Sequence, residues 1–310
     1  MPTDRADDTA PTRPLHQTEF GPRYASAMQI ENDGVSLHVA EDGEPDGPVV
    51  LFLHGITAST DTWDWAVPEL AATHRVLRLD FRGHGDSGHA PGTYGFTSWV
   101  SDAIATCEQV AGGPAVLVGH SLGGGVAAAV AQERPELVRA VLLEDPAIMS
   151  GALEVENDEP NALLAVFAMM RETIPMLQAS GVALDVLVGI LNDSPGVDGR
   201  LFKDSLQPDA VHAMATATLR LDASVLDGVL AGVMDPVYDG HVGMTVPGIV
   251  LAGDEASPDT IVRAPEKALL AESSPKIDVR VVAGAGHLIH DSLEFRETMR
   301  LALHAVVAML

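Results

Sequence analysis

Short continuous apolar runs bounded by turn residues recur along the first half of the chain. Residues 49–53 (VVLFL) read as a strand buried on both faces, 75–80 (RVLRLD) as the next, 115–118 as a third and 138–143 as a fourth. Between them, 97–110 carries apolar positions at helical spacing, and the small-residue run 123–131 continues as a helix ended by Arg134-Pro135. Strands and helices in alternation imply parallel pairing through right-handed crossovers, hence a doubly wound α/β sheet. Ahead of it, residues 27–40 alternate on either side of Asp33-Gly34, a hairpin signal that opens the sheet with antiparallel strands.

The alternation then stops. From 147 to 237 the chain shows helical patterns, 162–170 and 182–191 among them, broken by Pro175, Pro195 and Pro208 and without a strand. This stretch reads as an inserted helical cap. Strands at 248–252 and 278–282, with helices at 264–271 and 293–310, resume the first pattern. The expected organisation is a flexible leader (1–25), an α/β core (26–146 and 238–310) and the cap (147–237).

Composition narrows the class. A chain of 310 residues with 46% hydrophobic content suits one large α/β domain with an insertion. No continuous apolar run reaches the roughly 18–20 residues that cross a bilayer. The acidic, proline-bearing N-terminus lacks a basic stretch leading into an apolar one, which points to a cytoplasmic protein with no membrane partner. A formal net charge of −26 repels nucleic acid as well. The single cysteine, Cys107, falls in a helical pattern and reads as a small buried apolar group. Monomer and homodimer both remain open.

The chemistry concentrates at strand ends. Gly119-His120-Ser121-Leu122-Gly123 follows the strand 115–118 directly and precedes the small-residue helix. In a sharp strand-to-helix turn the glycines relieve crowding while the serine hydroxyl is presented at a helix N-terminus, where partial positive charge favours an oxyanion. Ser121 is therefore the candidate nucleophile. Gly284-Ala285-Gly286-His287 follows the strand 278–282, on the face where such sheets place their sites, and makes His287 the candidate base. His290, three residues on, reads as polar decoration at the start of the last helix.

An imidazole in this role needs a carboxylate to orient it. Asp254, after the strand 248–252, is the first choice because it keeps the order Ser, Asp, His; Glu255 and Asp259 share its loop, and Glu144 and Asp145 at the end of 138–143 are a second origin. The two oxyanion donors are expected to be the backbone amides of Leu122 and Ile56, the latter beyond His54-Gly55. His54 is expected to pin its loop, and His120 to line or support the pocket.

On His54-Gly55, Asp80-Phe81-Arg82-Gly83-His84-Gly85-Asp86-Ser87, Gly119 to Gly123, and Gly284 to His287, the chain resembles the α/β-hydrolase superfamily in its capped serine-esterase branch. The resemblance implies an α/β-hydrolase fold with a mostly parallel sheet, and makes the DxRGxGxS stretch a structural loop near the site. Many relatives read G-x-x-D in the acid loop, which places Ala256 at the acid, whereas others carry G-D, like Gly253-Asp254. Dehalogenases and epoxide hydrolases of this fold place an aspartate where Ser121 stands, so Ser121-Leu122 excludes both.

The expected reaction is hydrolysis of a small alkyl or aryl ester through an acyl-enzyme. Carbon-carbon bond hydrolysis, cofactor-free haloperoxidation and non-catalytic ligand binding are the alternatives that the resemblance leaves. Phe167, Met170, Arg171 and Leu187 are the substrate-binding candidates in the cap. In length and acidic style the chain is also similar to monoalkyl phthalate ester hydrolases, which implies a cation for the substrate carboxylate, from Arg171, Arg220 or His212. The sequence shows no metal-binding spacing or nucleotide loop, so the expected cofactor is none, with full activity in chelator.

Overall fold

The computed structural model describes residues 26–148, 162–234 and 237–309. The expected leader and part of the expected cap, 149–161 and 235–236, lie outside them.

The hairpin signal forms as read. Strands β1 (Ser26–Asn32) and β2 (Val35–Gly43) pair antiparallel around Asp33 and Gly34, which adopt φ of 50° and 77°, the left-handed backbone that such a two-residue turn requires. The alternating segment supplies β3 (Val49–Leu53), a 3₁₀ turn (Thr60–Ala66) running into the short α1 (Val67–Leu70), β4 (Arg75–Leu79), α2 (Phe96–Thr106), β5 (Ala115–His120), α3 (Leu122–Glu133) and β6 (Val138–Glu144). Then comes the helical segment: α4 (Ala162–Ser180), α5 (Leu184–Asn192), α6 (Phe202–Ser205), α7 (Pro208–Arg220), a 3₁₀ turn (Ala223–Leu226) and α8 (Asp227–Leu230). After it stand β7 (Gly248–Ala252), α9 (Ala264–Ser273), β8 (Ile277–Val281) and α10 (Arg296–Val307).

The eight strands form one sheet in the order β1-β2-β4-β3-β5-β6-β7-β8, antiparallel at β1-β2 and β2-β4 and parallel elsewhere. Because side chains alternate across a strand, each central strand feeds two cores. Leu51, Leu53, Leu117, Val141 and Leu143 pack with Trp99, Val100 and Val126 of α2 and α3. Val50, Phe52, Val118, Leu142 and Ile249 pack with Trp63, Leu70 and the Met299, Leu303 and Val306 face of α10. Every residue of β3, β5 and β7 is buried, which is why these strands read as unbroken apolar runs.

Two expectations shift. The last helix begins at Arg296, because residues 290–295 form a loop whose first three residues are buried. The helix α4 is, by length and composition alone, long and apolar enough to cross a membrane, although no uninterrupted apolar run is; it holds Arg171, Glu172 and Pro175. In the fold it packs on α7, α8 and the Ala223–Leu226 turn, with Leu163 and Ile174 buried.

Candidate active site

The nucleophile candidate sits where β5 turns into α3. Ser121 has φ 53° and ψ −115°, a strained backbone that costs roughly 1–3 kcal/mol and persists only where the surroundings impose it. Here they do. The Ser121 amide donates to Glu144 O at 3.0 Å, its carbonyl accepts from Gly125 and Ala147, and the Gly123 amide donates to His54 O at 3.1 Å. A Cβ on Gly123 would stand 2.2 Å from Leu53 O, and one on Gly119 2.3 Å from Gly123 O, so the two motif glycines are required by backbone contact rather than by flexibility.

His287 is held by its surroundings from three directions. Its Nδ1 lies 2.7 Å from Asp145 Oδ2, its amide donates to Asp259 Oδ2 at 3.2 Å, and its carbonyl accepts from His120 Nε2 at 3.1 Å. The rings of His120 and His287 are 4.7 Å apart, which places the base candidate against the residue preceding Ser121. Among the described residues His287 spends Nδ1 on Asp145, and no bond from Nε2 to the Ser121 hydroxyl is formed. Such contacts commonly tighten only when substrate binds.

The acid differs from the first expectation. Asp254 takes the Ala256 amide at 3.0 Å and the Gly284 amide at 2.8 Å, so it is a loop-tying residue and does not touch His287. Glu255 pairs with Lys267, and Asp259 braces the His287 backbone. Asp145, named among the alternatives, occupies the imidazole. It is fully buried, has φ 36°, and gathers Thr260 Oγ1 at 2.9 Å, Ile261 N at 2.9 Å and Val262 N at 3.1 Å. The physical reason is the sheet order: β6 is hydrogen-bonded directly to β5, so a carboxylate at its end lies one strand from Ser121, whereas β7 is two strands away.

Burial works against the Asp145 charge, but the His287 hydrogen bond and the loop amides outweigh it and hold its pKa below the usual carboxylate value. Burial likewise depresses His287, and the hydrogen bond to Asp145 and that group's charge, with Asp259 and Glu144, more than restore it, so its pKa is raised. Burial pushes His120 down to about 3, leaving a neutral ring that donates Nε2–H to the His287 carbonyl.

Leu122 opens α3, and among the described residues neither its amide nor that of Ile56 is taken by a backbone partner. Gly55 lies close against His120, since a Cβ there would stand 2.9 Å from His120 Nδ1. His54 pins its loop as read, with Nδ1 2.8 Å from Gly55 O and Nε2 accepting the Phe81 amide at 3.2 Å. Arg82 of the DxRGxGxS loop makes a bidentate pair with buried Asp102 at 2.9 and 2.6 Å.

Of the substrate candidates, Phe167 and Met170 are half-buried against the larger apolar cluster and Leu187 is buried. Arg171 forms a surface ion pair, its Nε 2.5 Å from Asp227 Oδ1. Arg220 pairs with Asp61 at 3.4 Å and Asp86 at 3.1 Å, and His212 lies half-buried on α7. His290 is corrected. It is buried, with Nδ1 2.7 Å from Glu144 Oε2, and is no surface decoration. The signal available in sequence was the pair of acids, Glu144-Asp145, ending a strand next to the nucleophile strand and facing two histidines three residues apart. The ligand atoms of His120, Glu144 and His290 lie within 4.8 Å of one another, as a metal cluster would require. Of their ring nitrogens, His290 Nδ1 is bonded to Glu144, His290 Nε2 lies against Thr62 and Asp291, and His120 Nε2 donates to the His287 carbonyl.

A mostly parallel sheet with helices on both faces, a strained serine after a central strand and a buried carboxylate–imidazole pair at the next strand end define a hydrolase of the α/β-hydrolase superfamily. The model of the alpha/beta hydrolase family matches residues 50–298, and the chain belongs to that family. It is 27% identical over 274 residues to 2-(acetamidomethylene)succinate hydrolase of Mesorhizobium japonicum, covering 86% of this chain and 90% of the relative. A solved E-2-(acetamidomethylene)succinate hydrolase superposes with a TM-score of 0.68 at 22% identity, over 91% of this chain and 99% of the other. The enol-lactonase from Burkholderia xenovorans LB400 matches with a TM-score of 0.68 at 19% identity, over 91% and 100%. At these identities the solved structures speak to the fold.

Proposed function

We propose that this chain is a serine carboxylic ester hydrolase acting on a small alkyl or aryl ester through an acyl-enzyme. The observation that carries the reading is the buried Asp145–His287 pair beside a strained Ser121. In this reading His287 Nε2 takes the Ser121 proton as the hydroxyl attacks the carbonyl, Asp145 steadies the imidazolium, and the amides of Leu122 and Ile56 bind the oxyanion. His287 then returns the proton to the departing alcohol. Water, deprotonated by the same ring, cleaves the acyl-enzyme. The helical segment between β6 and β7 acts as the cap, with Phe167, Met170 and Leu187 forming its apolar underside.

The test is turnover of p-nitrophenyl esters of rising chain length. We expect release by the wild type and a loss of roughly 10³-fold or more in Ser121→Ala. Equal rates in the two proteins would refute the reading. A monoalkyl phthalate is a narrower case, scored by free phthalate; because Arg171 and Arg220 are both paired with carboxylates, its carboxylate would have to displace one of them.

The relative from Mesorhizobium japonicum, matched along most of both chains, favours a second reading in which the same machinery hydrolyses a bond other than an alkyl ester, in a small acidic substrate. Turnover of acylated enamines by the wild type, with p-nitrophenyl esters left untouched, would select it.

A further inference from the structure

Two carboxylate–imidazole pairs stand side by side at the end of β6. Asp145 holds His287, while its neighbour Glu144 holds His290 through two bonds, Oε2 to Nδ1 at 2.7 Å and Oε1 from the backbone amide at 2.9 Å. Both members of the second pair are fully buried, although a charge removed from water in this way is costly unless it is well partnered. The reaction proposed above makes no direct use of either group.

The contacts of His290 reach the 3₁₀ turn after the Ile56 loop, the end of the nucleophile strand and the last helix. Its Nε2 lies 2.9 Å from Thr62 Oγ1 and its ring stacks on Trp63 at 4.5 Å, both in the 3₁₀ turn that follows the Ile56 loop. Its ring is 4.9 Å from His120, which grips the His287 carbonyl and precedes Ser121. Arg296 of α10 donates to its carbonyl at 2.7 Å. Glu144, for its part, receives the Ser121 amide on its own backbone oxygen.

We propose that Glu144 and His290 are positioning residues that lock the His287 loop against the nucleophile strand and the oxyanion loop, so that the Asp145-held imidazole meets Ser121 in register. The inference rests on the serine-hydrolase reading of the site. His290 is the joint: its fixed ring is what prevents the 284–292 loop from moving independently of the other two. A displacement of about 1 Å at the reacting atoms can cost roughly 100-fold in rate, which is the scale of effect at stake.

The pair also carries a pH signature. Facing His290 are Glu144 from β6, His120 from β5, Thr62 and Trp63 from the 3₁₀ turn, Asp291 from its own loop, and Arg296 from α10 with Asp209 of α7 behind it. Burial depresses the imidazole, but Asp291 and Glu144 outweigh it, so the pKa of His290 is raised above the ordinary 6.5. With the folded value raised, the ion pair is complete at low pH and is lost as pH climbs through that value. His287 must be neutral to act as base, so kcat rises through its pKa, and deprotonation of His290 loosens the lock and lowers kcat, so that the titration of His290 shapes the wild-type profile.

The experiment measures kcat and KM for a p-nitrophenyl ester across pH 5 to about 10 in wild type, His290→Phe, Glu144→Gln and Ser121→Ala. Thermal melts accompany the kinetics. His290→Phe keeps the stack on Trp63 but loses the ion pair. We expect its kcat to drop roughly 10- to 100-fold with KM within about threefold, and the kcat–pH profile to change shape because the titration of His290 is gone. Should that variant fail to fold, Glu144→Gln, which keeps an oxygen for the His290 amide, gives the same two readouts. Unchanged kcat in a folded variant, a rise in KM alone, or a lower kcat with the wild-type pH profile intact would each overturn the proposal. If Ser121→Ala retains activity, the serine-hydrolase reading falls first; if Ser121→Ala is dead while the pair variants are normal, only this inference falls.

Discussion

At the residue scale, the site turns on which carboxylate reaches His287. Asp145 and Asp254 both end strands, but only Asp145 touches the imidazole, while Asp254 ties two loop amides. We therefore expect Asp145→Asn to lower kcat by about 10⁴-fold, the loss typical when the tautomer of the base is no longer set. Asp254→Asn should leave kcat within about threefold, through loop effects alone. Steady-state kinetics on the two variants decides between them. The pH dependence separates activity from stability. Asp145, depressed below 3.8, stabilises the fold above that value and loses its contribution as pH falls through its folded pKa. His287, raised above 6.5, stabilises it below that value and loses its contribution as pH rises. The pair therefore contributes most to stability between these two ordinary values, whereas a neutral base requires a pH above them.

At the scale of elements, the DxRGxGxS loop shows how a motif without catalytic atoms still serves the site. Arg82 is buried and its fork closes on Asp102 of α2; Asp80 collects the Thr60 amide at 2.7 Å, the Asp86 amide at 3.0 Å and His38 Nδ1 at 2.9 Å. These bonds clamp the β4–α2 loop to the β3 loop that carries Ile56. Removing one partner of a buried ion pair leaves an uncompensated charge, so Asp102→Ala should destabilise the fold by roughly 3–5 kcal/mol, read by urea unfolding. The strands and helices themselves were legible because their apolar periods are long and undisturbed. The 290–295 loop was not, since His290, Asp291 and Ser292 look like a surface stretch until Glu144 and Thr62 are brought to them from elsewhere in the chain.

For the molecule as a whole, a net charge of −26 on one domain sets up self-repulsion that the fold must tolerate. Salt screens it, with a Debye length of about 10 Å at 0.1 M and about 3 Å at 1 M. We expect the melting temperature to rise by several degrees, about 2–5 °C, between low salt and 0.5 M sodium chloride, and the on-rate of an anionic substrate to increase over the same range. A melting temperature that falls with salt would show that local pairs, such as Arg171–Asp227 and Arg296–Asp209, outweigh the global repulsion.

What the linear chain determined was everything written in contiguous residues: the strand and helix periods, the Asp33-Gly34 turn, the elbow around Ser121, and a histidine after the last strand. The choice of Asp145 over Asp254, and the burial of Glu144 with His290, belong to the tertiary structure alone. Both depend on strand β6 lying between β5 and β7, and sheet order is set by crossover packing between segments far apart in sequence. Local pattern carries no information about which acid will face which imidazole across that distance.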